Sequence, residues 1–161
     1  MNKIDLFKTE LSYIKNLKYR ESAKKMIELL PDYFFEIPAS STGKHHPKFA
    51  QNEGGLVRHT KVAVRMCYEL SKNNTIGYSF TDDEKDLMLI ALIMHDGVKS
   101  GLIKEKYTRV DHPLLCLPFL FLCFEVDQSL KCRNSQIIAF QITLLVGLLK
   151  YLSFLNLAFH L

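Results

Sequence analysis

The fold class this sequence predicts is an all-α helical bundle, and three observations carry it. Apolar residues recur at helical spacing from residue 4 to 30 and again from 56 to 72, and a capping box opens an apolar run at Thr81. Each segment is long enough for a helix and presents an apolar side that must be covered by a neighbour.

The first segment carries Ile4, Leu6, Phe7, Leu11, Ile14, Leu17, Ala23, Met26, Ile27, Leu29 and Leu30, with lysines filling the opposite side. It reads as one bent helix or two short ones, stopped by Pro31. From Asp32 to Gly55 the periodicity is lost; Pro38, Gly43, Pro47, Gly54 and Gly55 punctuate a connection longer than ordinary ones. Loops of this length in compact domains carry function or are disordered, and Phe34, Phe35, Ile37 and Phe49 favour an ordered loop pinned to the core.

Periodicity resumes from Leu56 to Lys72, where Val62, Ala63, Met66, Cys67 and Leu70 are read as the buried stripe. His59 precedes Ala63 by four residues and Met66 by seven, which places it on that stripe one turn from the amino end. A buried imidazole needs a partner. Thr81, Asp82, Asp83 and Glu84 then form the capping box and an acidic first turn. The run LMLIALIM that follows, residues 87 to 94, has no polar side and predicts a central helix. It ends in HDGVKSG, where Gly97 is expected to supply a left-handed termination and Gly101 a second turn. Thr108 or Asp111 is a candidate cap for a further helix with Pro113 in its first turn.

The chain of 161 residues and 18.6 kDa suits one domain. Its net charge of +4 is spread thinly, 18 basic against 15 acidic residues up to position 112, so a nucleic-acid groove is not indicated. Cys67, Cys116, Cys123 and Cys132 form no CxxC pair, Cys67 reads as a small buried thiol, and the start MNKIDLFKTE is no secretory signal, so the expected location is cytoplasmic. Composition divides the domain into a core over residues 1–112 and an atypical segment over 113–161, where 31 of 49 residues are apolar. That segment admits a buried terminal helix pair, membrane association, or a tail foreign to the fold through a frameshift. Gln141, Lys150, Asn156 and His160 interrupt its longest apolar stretch.

His59 and the adjacent pair His95-Asp96 stand at the ends of apolar helical runs on consecutive helices. Imidazole and carboxylate together suit a divalent ion such as Mn, Fe, Ni, Zn, Co or Mg, with open positions left for water and a phosphate oxygen. A hydrogen-bonded core histidine and a simple helix-end cap are the alternatives for either element taken alone.

The strings GGLVRHT, with His59, and ALIMHDGVKSG, with His95-Asp96, resemble the HD-domain metal-dependent phosphohydrolases, an all-helical superfamily. The likeness covers about residues 30 to 115, a segment that looks like the small HD proteins common in bacteriophages and bacteria. It implies that His59, His95 and Asp96 ligate the metal, that Asp96 also positions the attacking water, that Lys99 faces phosphate, and that His112 binds substrate phosphate or a second metal. The late aspartate of the family has one counterpart after residue 112, Asp127, as a further ligand. The loop residues Lys44, His45 and His46 are candidates for the phosphate entrance, and Arg58 and Arg65 for contact with an anion. The implied function is hydrolysis of a small phosphorylated molecule, a nucleotide by analogy with the family. The alternative is a catalytically impaired HD-like interaction module whose apolar tail packs on a partner or membrane.

Overall fold

The computed structural model describes residues 2–42 and 46–109, and every regular element within them is helical. In chain order these are α1 (Lys3–Leu6), α2 (Lys8–Ser12), α3 (Leu17–Leu29), α4 (Gly55–Lys72) and α5 (Asp82–Met94). Short 3-10 turns at Asp32–Phe35, Lys48–Ala50 and Gly77–Ser79 lie in the connections. α4 lies along α5, α3 packs on α5 as well, and α1 and α2 cover α3. The all-α bundle expected from periodicity is therefore what the described residues form. Among them no helix is long and apolar enough to cross a membrane. The candidate residues Lys44, His45, Asp111, His112, Asp127 and His160, three of the four cysteines and the whole apolar segment 113–161 lie outside the described residues.

The amino-terminal segment is three helices rather than one or two. Phe7 joins α1 to α2 with its ring fully buried, and residues 13–16 turn the chain into α3. Asn16 caps α3 by accepting the N–H groups of Lys18 and Tyr19. The same corner is held on α5 by Asp86, a buried carboxylate that accepts the N–H of Lys15 at 3.0 Å and of Asn16 at 2.7 Å. Leu30 is extended at φ −58 and ψ 136, as a residue ahead of proline should be, and α3 ends there.

α5 begins as expected. The Thr81 hydroxyl accepts the Glu84 N–H at 3.2 Å, and the Glu84 carboxylate accepts the Thr81 N–H at 2.8 Å. These hydrogen bonds, the backbone one first, hold the Glu84 carboxyl below its usual range. From Leu87 onward the helix is buried on all sides except at half-buried Met88, which matches a central helix.

The buried side of α4 differs from the expected stripe. Val62, Met66 and Leu70 are 38%, 49% and 45% exposed, whereas Leu56, Val57, Thr60, Ala63 and Val64 are buried. The inward side is thus rotated by about one residue step, onto the smaller side chains that let α4 approach α5 closely. Cys67 is half-buried on this inward side, and burial pushes its thiol up to about 11. α4 is also tied to α2 by a charge cluster: Glu10, fully buried, meets Arg65 Nε at 3.0 Å and Lys61 Nζ at 3.2 Å. Arg65, read above as a contact for an anion, is engaged by this carboxylate.

The connection ahead of α4 is ordered where described. Phe34 and Phe35 are buried as expected, while Phe49 is 44% exposed. Gly55 is required by close approach: a Cβ there would fall 2.1 Å from the Ala50 carbonyl oxygen. Arg58 fastens the same loop, its guanidinium donating to the carbonyls of Phe49 at 2.6 Å and Gln51 at 2.7 Å.

Candidate metal centre

The polar end of the bundle is built where α5 stops. Met94 is the last helical residue, His95 keeps right-handed helical angles as the cap, and Asp96 begins a chain of tight turns. Gly97 N–H reaches back to the Met94 carbonyl, Lys99 to Asp96 and Gly101 to Val98, each three residues upstream. Gly97 is not left-handed, contrary to expectation; Gly101, at φ +89, is the glycine that needs the freedom. All seven residues from His95 to Gly101 are buried. A buried connection must satisfy its backbone internally, and besides the tight turns Tyr33 supplies partners. The Tyr33 hydroxyl donates to the Gly101 carbonyl at 2.5 Å and accepts the Ser100 N–H at 3.3 Å.

This rigid turn brings His95 and Asp96 to His59, which lies one turn into α4. Asp96 Oδ2 is 3.5 Å from His95 Nε2 and 3.8 Å from His59 Nε2. One donor atom from each of the three residues lies within 4.8 Å of the other two. The Asp96 and His95 side chains are nearly sealed at 4% and 7% exposure, and that of His59 is 26% exposed. His95 is further oriented by its second ring nitrogen: Nδ1 lies 2.6 Å from the Leu92 carbonyl oxygen. A carbonyl only accepts, so Nδ1 carries a proton and Nε2 is the ring nitrogen turned toward Asp96. Burial, opposed by the Asp96 carboxylate, drives His59 down to about 3, which leaves its imidazole neutral near pH 7.

Such a donor set fits a divalent ion. Ligand bonds of about 2.0–2.2 Å set neighbouring donors roughly 3–3.5 Å apart; the two separations from Asp96 are already at or within a few tenths of an ångström of that range, and the set as a whole, within 4.8 Å, would draw together around an ion. Two imidazoles and a carboxylate suit Mn, Fe, Co, Ni or Zn better than an ion that prefers all-oxygen ligands such as Ca.

Lys99, which the resemblance assigns to phosphate, lies beside Asp96. Its Nζ donates to Asp96 Oδ2 at 2.7 Å, and both side chains are buried. The ammonium therefore sits on the oxygen that faces both imidazoles. His46, from the loop ahead of α4, places its ring edge-on to His59 with centroids 4.7 Å apart. Arg58 is spent on the loop carbonyls. The Leu92 carbonyl and Tyr33, which orient His95 and the turn, had no signal in the sequence beyond their types.

Comparison with family models, with curated proteins and with solved structures finds no match to this chain. The described residues thus establish an all-α fold with a His/His/Asp cluster able to hold a metal ion, and the family likeness rests on the two strings that carry those residues.

Proposed function

We propose that the chain is an HD-domain-like, metal-dependent phosphohydrolase acting on a small phosphorylated substrate, a nucleotide being the favoured class. The observation that carries this reading is the convergence of His59, His95 and Asp96 donors within 4.8 Å at the buried end of α5. Three protein donors leave positions for water and substrate, which is the difference between a catalytic and a closed structural site. A divalent ion held there supplies Lewis acidity toward water and a phosphoryl oxygen.

The protein's own residues have separate tasks in this reading. His95 and Asp96 are presented by a turn that cannot relax, because its backbone is bonded to itself and to Tyr33. The Leu92 carbonyl keeps His95 in the tautomer whose Nε2 can bind a cation. Asp96 would help position the attacking water besides contributing to the donor set. Lys99, held beside Asp96, supplies positive charge for the phosphoryl oxygens as charge develops there. Asp127 as a further ligand and His112 as a phosphate contact belong to the same reading. The substrate class rests on analogy with the superfamily.

A second reading is favoured by one observation. Because Lys99 already neutralises Asp96 at 2.7 Å, the cluster is electrostatically satisfied without an ion, as an impaired interaction module would require. Metal content separates the two. The chain purified and titrated with Mn²⁺ or Zn²⁺ is expected to take up stoichiometric ion, to lose it in His95→Ala and His59→Ala, and to release inorganic phosphate from a panel of nucleotides. A chain that takes up no ion refutes the enzyme reading.

A further inference from the structure

We propose that His46 is a substrate-binding residue, its ring N–H donating to a phosphoryl oxygen of a substrate bound at the His59, His95 and Asp96 cluster. The inference rests on the metal-site reading and adds a residue to it from a different part of the chain. His46 stands edge-on to His59, with centroids 4.7 Å apart and planes at 75°. It is not among the three residues whose donors lie mutually within 4.8 Å, so it borders the ion's position without sharing it. A group one layer out from a ligand imidazole is where the outer oxygens of a bound phosphate would lie.

The loop holds the backbone that carries that ring. Gln51 Nε2 donates to the His46 carbonyl at 3.1 Å, and the Ala50 N–H reaches the Pro47 carbonyl at 2.9 Å. Arg58, adjacent to His59, clamps the Phe49 and Gln51 carbonyls, and Gly55 admits the Ala50 carbonyl against the first turn of α4. His46 and His59 are therefore fixed relative to one another through α4 itself, which is the preorganisation a hydrogen bond to an anion exploits. Imidazole always carries at least one N–H, and its hydrogen bond to a phosphate oxygen is charge-assisted.

The alternative role for the ring is edge-to-face packing on His59 alone, and His46→Phe separates the two by keeping an aromatic ring without a donor. The full chain is loaded with Mn²⁺ and titrated with inorganic phosphate by calorimetry, with Mn²⁺ affinity measured separately. In His46→Phe, Mn²⁺ affinity is expected to stay within about twofold, while phosphate binds about tenfold or more weakly. His46→Gln, which retains an N–H donor, is expected to recover part of that loss. Unchanged phosphate affinity in His46→Phe overturns the proposal. So does a parallel fall in Mn²⁺ affinity, which would make His46 a ligand of the ion. Absence of Mn²⁺ uptake by the wild-type chain removes the metal-site reading and this proposal with it, and the metal titration shows that failure before phosphate is added.

Discussion

Replacing Lys99 by Met should destabilise the metal-free chain and tighten its hold on metal by a similar free energy. The ammonium and a divalent ion compete for one atom, Asp96 Oδ2, which lies 2.7 Å from Lys99 Nζ and faces His59 and His95 at 3.8 and 3.5 Å. Methionine keeps most of the length and apolar stem of lysine, so packing changes little. Breaking a buried ion pair by removing one partner costs about 3–5 kcal/mol, because the other charge is left uncompensated. The lower end applies here, since the partly exposed His59 leaves the site open to water on one side. With metal bound, Asp96 is paired by the ion and the missing ammonium costs it nothing. The thermodynamic cycle then requires metal affinity to rise by up to about 3 kcal/mol, roughly a hundredfold. Thermal unfolding in EDTA should show a midpoint lower by roughly 6–12 °C, at about 2–4 °C per kcal/mol for a chain of this size. Calorimetric Mn²⁺ titration should show the tighter binding, and turnover should fall despite it. A variant with weaker Mn²⁺ binding, or with an unchanged midpoint in EDTA, would refute the competition.

Other perturbations test the parts that position the site. His95→Ala should abolish metal binding measured by elemental analysis, while His95→Gln, whose amide cannot replace an imidazole ligand, should do the same with a smaller loss of stability. Gly55→Ala drives a Cβ to within 2.1 Å of the Ala50 carbonyl oxygen, so a loss of about 2–4 kcal/mol in urea unfolding is expected, together with faster proteolysis around residues 46–51. Thr81→Ala removes the capping box and should cost about 1 kcal/mol. The same box has a pH signature: Glu84 is held below its unfolded-state value, so its contribution is present above about pH 4.3 and is lost as pH falls through the lower folded-state value. The stability difference between wild type and Thr81→Ala should therefore narrow on acidification below pH 4. Glu10→Ala should cost about 3 kcal/mol and Arg65→Ala less than about 1 kcal/mol, because the carboxylate is fully buried and the arginine is half exposed.

What was legible in the sequence is what local chemistry decides. Thr81 and Glu84 announce a helix start whatever packs on it, and Pro31 ends α3 without reference to its neighbours. His59 and His95-Asp96 stood out because polar side chains at the ends of apolar runs need partners, and the fold brings the three together. The inward side of α4 was not legible. Two apolar stripes run along it, Val62, Met66 and Leu70 on one and Leu56, Thr60, Ala63 and Val64 on the other. Periodicity gives both equal standing, and the choice is made by α5, which takes the stripe of smaller residues. Glu10 and Asp86 escaped for a related reason. A carboxylate on an amphipathic segment reads as solvent-facing, and their partners lie 55 and 71 residues away in the chain. Gly97 shows the limit of residue type as a signal, since the turn it sits in runs right-handed and the left-handed position falls at Gly101.

The placement of His95 and Asp96 at the carboxyl end of α5 also bears on why a lysine can be buried there. The last carbonyls of a helix carry partial negative charge, and a cation in the final turn gains about 0.3–1 kcal/mol from it, more where water is excluded. Asp96 adds a full negative charge in the same space, so this end of the bundle is a cation site before any ion is considered. Lys99, six per cent exposed, fills that role from three residues downstream. A divalent ion offers the same neutralisation with twice the charge and could be ligated by His59 Nε2 and His95 Nε2 together with the carboxylate. The two Nε2 atoms, 3.8 and 3.5 Å from the carboxylate oxygen, face the space that a shared cation would occupy. The inward orientation of both imidazoles, one fixed by the Leu92 carbonyl, is thus the arrangement that an ion shared by the three donors would require.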